Sequence, residues 1–320
     1  MSRVSVVVTC YNQEEYISEA IQSVVRQTRY EAISEIIVVD DGSTDDSETV
    51  IRRWADRCGE IRYVYQENQG VSAARNAGIR RSSGDYIALL DGDDLWCEDR
   101  LELQLEETKK YPVVGLFYGD VYSFQETLNN KTRGYCTQFE GDDEDVLPKL
   151  YLHGGPILTP TTLIRADCFS QVGLFDCSLW QGEDLDMWLR IAAKYPIHHV
   201  GDPVALVRHG NESLSTNIDE KANYMLKDAD KIADLYPELD PLREVRKAKI
   251  HSGLSRNRLV SGDRVGAIRS ALKAIGHDPL TLKHYSTLGF ALLPCSARQL
   301  HWLRERIQGA KRRIRRWTQS

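Results

Sequence analysis

Three runs of the sequence decide the fold: VSVVVTCYN (residues 4–12), IIVVDDGS (36–43) and YIALLDGDD (86–94). Each is a short apolar run, typical of a buried strand, that ends in a polar turn. Between the runs, apolar residues recur at helical spacing, as they do over residues 17–25. Because strands that alternate with helices need crossover connections, this pattern predicts a doubly wound, mostly parallel α/β sheet covered on both faces. The predicted strands are Val4–Val8, Glu35–Val39, Ile61–Tyr65 and Tyr86–Leu90.

The pattern changes after residue 111. Four further strands around a helix near Asp184–Lys194 indicate a mixed-sheet extension of the same domain, which would form the second wall of a cleft. From about residue 218 onward almost every segment has a helical pattern. We therefore expect one α/β domain over residues 1–217 and a helical region over 218–320. The four strands are Phe117–Phe124, Arg133–Phe139 (joined to the first through a turn at Asn129-Asn130), Leu163–Arg165 and Val204–Val207.

Composition limits the possible functions. The 320 residues carry a formal net charge of -6, whereas a protein that binds a phosphate backbone usually has a basic surplus, so no nucleic-acid partner is expected. The seven cysteines form no C-x-x-C pair, which indicates neither a disulfide framework nor a zinc site. The sequence starts almost directly with a strand and lacks an apolar run of about 18 residues, so neither a signal peptide nor a spanning helix is expected. We expect a cytoplasmic protein.

The polar turns after the first, second and fourth strands form the candidate site. In open α/β sheets ligands bind beyond the carboxyl ends of the strands, so these three turns should converge. Asp91, Asp93 and Asp94 crowd their carboxylates, and Mg²⁺ is typically held by one or two carboxylates together with substrate phosphates. The alternative is a solvated acidic turn that caps the helix around Leu101. In the first turn, Asn12 is predicted to cap the first helix.

The second turn also allows two interpretations. Asp40 and Asp41 could accept the imide N–H of a pyrimidine base or a ribose hydroxyl, whereas Ser43 or Thr44 could simply cap the following helix. Two carboxylates at the end of a buried strand are more than capping requires. The turn contains neither a Walker A lysine motif nor a G-x-G-x-x-G motif, so neither explains it.

Four runs resemble, in order, residue type and approximate spacing, family 2 of the inverting GT-A glycosyltransferases: VVVTCYN (6–12), VVDDGSTD (38–45), AARNAG (73–78) and LLDGDD (89–94). The resemblance covers roughly residues 1–210 and is most specific in the first third of the chain. It implies a GT-A fold in which residues 1–111 bind a nucleotide sugar and residues 112–217 bind the acceptor.

The same resemblance implies roles for the residues of the first two turns. Thr9 and Tyr11 would border the nucleotide base, with the Tyr11 ring available for stacking, and Asn12 completes that motif in the donor site. Asp40, with Asp41 beside it, would read the base and the ribose.

Further donor-site residues are implied by the third and fourth runs. Arg75 and Asn76 would line the donor pocket, and Asp91 would lie near the ribose. Asp93 would hold the cofactor, Mn²⁺ or Mg²⁺, on the diphosphate.

The family also has a carboxylate pair at the start of a helix in its second half, and GEDLDMWLR (182–190) is similar to that pattern. Asp184 would then be the general base for the acceptor hydroxyl, which is a poor nucleophile until its proton is removed. The alternative is that Glu183, Asp184 and Asp186 only complement the dipole of the first helical turn. His209, after the last strand, is either a further metal ligand or a structural residue.

The resemblance thus implies transfer, with inversion, of a sugar from a nucleoside-diphosphate sugar to an acceptor hydroxyl. The expected partners are a UDP-sugar and a saccharide or lipid-linked saccharide, in the assembly of surface polysaccharide or oligosaccharide. A sugar-nucleotide nucleotidyltransferase is one alternative, although Thr9–Gln13 lacks the phosphate-binding loop of that class. A non-catalytic nucleotide-binding scaffold is the other.

The last segment of the sequence, Arg298–Trp317, combines many basic residues with Trp and Leu at helical spacing. This combination is typical of a helix on an anionic membrane surface, so peripheral contact with the cytoplasmic face is expected. The alternative is a solvated basic helix that packs on its own domain.

Overall fold

A computed structural model describes residues 2–125, 130–134, 146–153, 157–179, 182–209 and 218–292 of the chain. The chain divides into two compact units, residues 1–214 and residues 215–320. All the candidate site residues belong to the first unit.

Four parallel strands form the first half of this unit, in the spatial order β3-β2-β1-β4. Every residue of β1 is buried, as its continuous apolar sequence requires in a sheet that is covered on both faces. The predicted strands are confirmed, and three of them extend to the polar residue that follows the apolar run. The strands are β1 (Val4–Cys10), β2 (Ile33–Asp40), β3 (Ile61–Tyr65) and β4 (Tyr86–Asp91).

The helices of this half are α1 (Ile17–Val25), α2 (Ser47–Ala55), α3 (Val71–Ile79) and α4 (Arg100–Lys110). They cover opposite faces of the sheet: Val38 belongs to one apolar cluster with residues of α1 and α2, and Val39 to another with Ala74 of α3. Helix α3 lies so close to the sheet that a Cβ atom at Gly78 would come within 2.2 Å of the Val7 side chain. Glycine at this position therefore allows the close approach.

The second half of the unit continues the sheet with mixed strand directions. Its elements are β5 (Leu95–Trp96), β6 (Leu116–Phe124), β7 (Thr132–Gly134), α5 (Val146–His153), β8 (Leu163–Arg165), α6 (Ala166–Val172), α7 (Glu183–Ala192) and β9 (Ile197–Arg208). Strand β8 is antiparallel to β4 and β6, while β6 is parallel to β9 and β5 is antiparallel to β9. The predicted mixed-sheet extension is confirmed. The predicted strand Arg133–Phe139 is seen as β7, but Asn129 and residues 135–139 lie outside the described residues.

The second unit is helical over its described part. Helices α8 (Ile218–Leu235), α9 (Arg243–Val260), α10 (Arg264–His277) and α11 (Leu282–Leu292) follow one another. Helices α9 and α10 are joined by a buried hydrogen bond from the Ser255 hydroxyl to the Ala267 carbonyl (2.7 Å). No helix within residues 218–292, or elsewhere in the described chain, is long and apolar enough to cross a membrane. The predicted basic segment Arg298–Trp317 lies outside the described residues.

Candidate active site

The carboxyl ends of β1, β2 and β4 lie side by side. Thr9 is in register with Val39 of β2 and with Asp91 of β4, and Cys10 is in register with Asp40. The three polar turns therefore meet at one edge of the sheet, as the sequence predicts.

The first turn presents one exposed ring and one strained backbone position. Tyr11 is 47% exposed, so its ring is accessible to a ligand. Asn12 has a positive φ of 50°, and its side-chain Oδ1 accepts the Thr44 N–H (2.8 Å) while its own N–H donates to Ser43 Oγ (3.0 Å). The prediction that Asn12 caps α1 is wrong, because that helix begins at Ile17. Asn12 instead joins the first turn to the second.

Asp40 is 1% exposed, and both of its carboxylate oxygens accept hydrogen bonds within the protein. Oδ1 accepts the Ser43 N–H (2.8 Å) and Oδ2 accepts the Tyr63 hydroxyl (2.9 Å). Burial and the bond to Asp40 raise the pKa of Tyr63, so the hydroxyl keeps the proton that it donates. These two bonds hold Asp40 in a fixed orientation, and they use two of the roughly four acceptor positions that a carboxylate offers.

The carboxylate of Asp41 binds the loop that leads into α3. Its Oδ1 accepts Gln66 Nε2 (2.6 Å) and the Gln69 N–H (3.0 Å), and its Oδ2 accepts the Gly70 N–H (2.8 Å). Gly70 immediately precedes α3, so the carboxylate complements the unpaired N–H groups and the positive dipole end of that helix. In this structure the Asp41 carboxylate positions the 66–70 loop, and its predicted role in reading the base and ribose beside Asp40 stays a prediction.

Arg75 joins the two halves of the site. It is 5% exposed, and its guanidinium donates from Nη2 to Asp91 at the end of β4 (2.9 Å) and from Nη1 to Glu183 at the start of α7 (3.0 Å). Thr9 Oγ1 donates to the same Asp91 oxygen (3.1 Å). Burial alone would lower the pKa of Arg75, but the two carboxylates more than offset it and raise the pKa, so the guanidinium stays charged. Its buried Nε has no hydrogen-bond partner among the described residues.

Asn76, the next residue on α3, points elsewhere. Its Nδ2 donates to the Phe175 carbonyl (2.8 Å) and its Oδ1 accepts the Phe175 N–H (2.9 Å). Both ends of its amide are bonded to one backbone residue, and its predicted role in lining the donor pocket stays a prediction. Asn76 fixes the loop that leads to α7.

The carboxylates of the acidic turn after β4 have different partners. Asp91 is bound by Thr9 and Arg75, and buried Asp94 accepts the backbone N–H of Arg208 (2.9 Å). Burial, and then the neighbouring carboxylates, raise the pKa of Asp93 and raise that of Asp94 well above its ordinary value. Asp93 is thus the carboxylate that neither arginine occupies.

A divalent cation fits this turn, because it would relieve the crowding that raises both pKa values. No group of three or more His, Cys, Asp or Glu side chains is arranged as a metal cage in the part of the chain that the structure describes. The cation would therefore need further oxygen ligands from a bound diphosphate or from water. The alternative that this turn caps a helix is wrong: it leads into β5, and α4 is preceded by Asp99.

Asp184 lies in the first turn of α7, beside Glu183. Burial raises the pKa of Asp184 to about 6 and the charge of Glu183 adds to the rise, while Arg75 limits it. Its Oδ1 accepts the Leu185 N–H (2.7 Å). A carboxylate with a pKa raised toward neutrality is suited to accept a proton and release it again.

The third acidic residue of α7 has a structural role. Asp186 Oδ2 accepts hydrogen bonds from Nε and Nη2 of Arg190 (2.9 and 2.7 Å). Arg190 in turn donates to the carbonyls of Val172 and Leu174 (2.6 and 3.0 Å). The acidic start of α7 thus contains one structural ion pair next to the candidate base.

His209 is exposed, and its backbone N–H donates to the Phe124 carbonyl (2.8 Å). This bond continues the pairing of β6 with β9 and assigns the residue a backbone role. The structure does not gather its ring with the acidic turn into a metal cage among the described residues.

Sequence reasoning missed two contributors to the site. Tyr63 holds Asp40 from the neighbouring strand β3, and Arg208 contacts the acidic turn from the end of β9. Tyr63 could have been found from the sequence, because it is a tyrosine two residues before the end of a strand that neighbours β2. The second depends on the pairing of β5 with β9, which no local pattern reveals.

Comparisons with known proteins identify the family and the fold of the chain. The model of the family described as Glycosyl transferase family 2 matches residues 5–169. An uncharacterized glycosyltransferase of Rickettsia felis is 36% identical over 209 residues, which are 65% of this chain and 33% of that protein. The putative teichuronic acid biosynthesis glycosyltransferase TuaG of Bacillus subtilis is 40% identical over 104 residues, 32% of this chain and 40% of that protein. The match thus covers less than half of either relative.

Two solved structures share the fold. S. aureus TarS 1–349 in complex with UDP-GlcNAc superposes with a TM-score of 0.63 at 18% identity, over 86% of this chain and 81% of that one. The mannosyltransferase PcManGT from Pyrobaculum calidifontis, in complex with GDP-Man and Mn²⁺, gives a TM-score of 0.59 at 18% identity, over 92% and 81%. At such identities the likeness establishes the fold alone, a GT-A α/β fold with a helical C-terminal region.

Proposed function

The chain belongs to glycosyl transferase family 2, and from that premise we propose that it transfers a sugar from a nucleoside-diphosphate sugar to an acceptor hydroxyl with inversion. The observation that carries the proposal is the bridge from Asp91 through Arg75 to Glu183. This bridge supports a single site that contains both the acidic turn and Asp184, because Glu183, Arg75 and Asp91 all act on the pKa of Asp184. Direct displacement requires the proton acceptor to lie next to the donor site.

The first half of the domain, residues 1–111, binds the donor in this proposal. Asp40 accepts an N–H of the base, Tyr11 offers its exposed ring for stacking, and Arg75 lines the donor pocket while it holds Asp91. A divalent cation, Mn²⁺ or Mg²⁺, held by Asp93 would offset the charge that develops on the diphosphate leaving group. Since the solved neighbours bind UDP-GlcNAc or GDP-Man, they support a nucleotide-sugar donor, and a UDP-sugar is our choice between them.

The second half, residues 112–217, positions the acceptor in this proposal. Asp184 removes the proton of the acceptor hydroxyl as the new bond forms. Glu183, held by Arg75, keeps that carboxylate at the donor site and contributes to its high pKa. The acceptor is a saccharide or lipid-linked saccharide, a choice supported by the name of the teichuronic acid relative.

The test is ligand-dependent thermal unfolding with UDP, GDP, dTDP and ADP, each with and without Mn²⁺. A ligand at a hundred times its dissociation constant stabilises by roughly 2.7 kcal/mol, which corresponds to a shift of several degrees. We expect one nucleotide to shift the midpoint, Mn²⁺ to enlarge the shift, and Asp93→Asn to remove the enlargement. Glu98→Gln, which removes a nearby exposed carboxylate, is the matched control. No shift with any nucleotide would favour a non-catalytic scaffold.

For the helical region, residues 218–320, we propose peripheral membrane contact through the basic segment at its end. The support is the sequence of residues 298–317 alone, where arginine and lysine alternate with Trp, Leu and Ile. Co-sedimentation of the full chain with anionic vesicles at low salt tests it. Equal recovery with neutral and anionic vesicles would contradict it.

A further inference from the structure

Arg208 connects the end of β9 to the acidic turn. Its side chain is 10% exposed, and its Nε donates to the backbone carbonyl of Asp93 (3.0 Å). Nη2 pairs with Glu19 of α1 (2.8 Å). The guanidinium lies over the rings of Tyr16 and Phe124, 4.5 and 4.6 Å from their centroids. The side chain is therefore held on several sides by different elements.

The contact is reciprocal. The backbone N–H of Arg208 donates to Oδ1 of Asp94 (2.9 Å), so main chain and side chain grip adjacent residues of one turn. The carboxylate of Asp94 thus accepts the backbone N–H of Arg208. The guanidinium donates to the backbone carbonyl oxygen of Asp93 and not to its carboxylate. Arg208 thus fixes the turn at two points, while the side chain of Asp93 is hydrogen-bonded by Gln13 and not by the guanidinium.

We propose that Arg208 is a positioning residue that holds Asp93 in the orientation in which it meets the cation of the donor complex. The inference rests on the proposed function. A carboxylate that coordinates the cation loses less conformational freedom on binding when its backbone is already fixed. The two contacts from Arg208 therefore raise the affinity of the site for the cation. Lysine could not replace the arginine, because a point charge has no Nε–H in a planar fork and stacks less well between two rings.

A different role would leave a different signature. If Arg208 only joined β9 to α1, its loss would weaken the fold and reduce nucleotide affinity with and without metal alike. If it positions Asp93, its loss weakens the metal-dependent part selectively. The measurement therefore has to separate binding of Mn²⁺ from binding of UDP.

The experiment titrates Mn²⁺ into protein saturated with UDP and follows free Mn²⁺ by electron paramagnetic resonance. Metal-free UDP affinity is measured in parallel by calorimetry. We expect Arg208→Lys to weaken Mn²⁺ binding roughly 10–100-fold, the range for residues that orient a metal ligand, with metal-free UDP affinity within threefold of wild type. Glu19→Gln, which releases only the exposed partner of the guanidinium, should change neither quantity.

Asp94→Asn serves as a second variant that keeps an oxygen for the Arg208 N–H. Its Mn²⁺ affinity should stay within threefold of wild type; a tenfold loss would make Asp94 a ligand and overturn the inference. Unchanged Mn²⁺ affinity in Arg208→Lys, or a parallel fall in metal-free UDP affinity, would also overturn it. If wild type binds UDP without any Mn²⁺ dependence, the inference falls while nucleotide binding stands; if it binds no UDP, the proposed function falls as well.

Discussion

Replacing Asp184 by asparagine should stabilise the fold while it abolishes the activity. Burial raises the pKa of Asp184 from its ordinary value of 3.8 to about 6. Because the folded pKa lies above the unfolded one, this group favours the fold fully below about pH 4, and that advantage is lost as the pH rises through about 6. Asparagine is neutral throughout, so the variant avoids the burial of a charge at higher pH.

The magnitude follows from the shift. About two pKa units correspond to roughly 3 kcal/mol, which is an upper value because Asp184 keeps some contact with solvent. We expect Asp184→Asn to gain about 1–3 kcal/mol at pH 8 and nothing near pH 4. For a domain of this size that is roughly 2–4 °C per kcal/mol. Turnover should fall by at least about 100-fold, since general-base catalysis supplies roughly 10²–10⁴-fold.

The assay is thermal unfolding of both proteins between pH 4 and pH 8, with UDP release measured on the same samples. Asp186→Asn is the control on the same helix: it removes the carboxylate that Arg190 holds, so it should lower the midpoint instead of raising it. A pH-independent difference, or a lower midpoint for Asp184→Asn at pH 8, would refute the reasoning. Stability gained together with full activity would refute the assignment of the base.

Three further outcomes are expected. Asp41→Asn should lower the free energy of unfolding in denaturant by roughly 1–3 kcal/mol, because its amide N–H₂ would face a backbone donor at Gln69 or Gly70. An unchanged denaturation midpoint would instead support the predicted role of Asp41 in ligand binding. Asn76→Leu should lower the free energy of unfolding by roughly 2–4 kcal/mol, because it leaves the Phe175 N–H and carbonyl unpaired. Its UDP affinity should stay within threefold of wild type. A selective loss of UDP affinity at unchanged stability would support the predicted role of Asn76 in the donor pocket. The wild-type kcat/KM should rise with pH up to about 6 and then level off, as deprotonation of Asp184 requires; a profile flat between pH 5 and 7 would contradict this.

The sheet and the edge that carries the site could be predicted from local patterns. Buried strands in a doubly wound sheet are apolar on both faces, so runs such as Val4–Val8 identify themselves without knowledge of their neighbours. The polar residues that end these runs then have to share one edge, because parallel strands end on the same side. This reasoning brought Thr9, Asp40 and Asp91 together correctly.

The partners of the polar side chains could not be predicted in the same way. Asp40 and Asp41 are adjacent in sequence and both buried, yet Asp40 is bound by Ser43 and Tyr63 while Asp41 is bound by the loop that leads into α3. Asn76 follows Arg75 directly but turns to Phe175, 99 residues away. Such assignments depend on which backbone donors the tertiary fold leaves unpaired, and the local sequence does not contain that information.

The position of Arg75 explains why the site needs an arginine between its halves. Asp91 belongs to the parallel half of the sheet and Glu183 to the helix after the mixed half, so the fold alone would bring two carboxylates together at low solvent exposure. One buried guanidinium joins both, and its planar fork can donate to two acids at once, which an ammonium cannot do with fixed geometry. The pKa values of Asp93, Asp94 and Asp184 remain raised, first by burial and then by the neighbouring carboxylates. In the proposed reaction the donor brings its diphosphate, itself an anion, to this acidic turn, and a divalent cation between them would reduce the repulsion. The proposal therefore predicts that donor binding depends on a divalent cation, and it assigns the base role to Asp184, whose pKa is raised to about 6 mainly by burial.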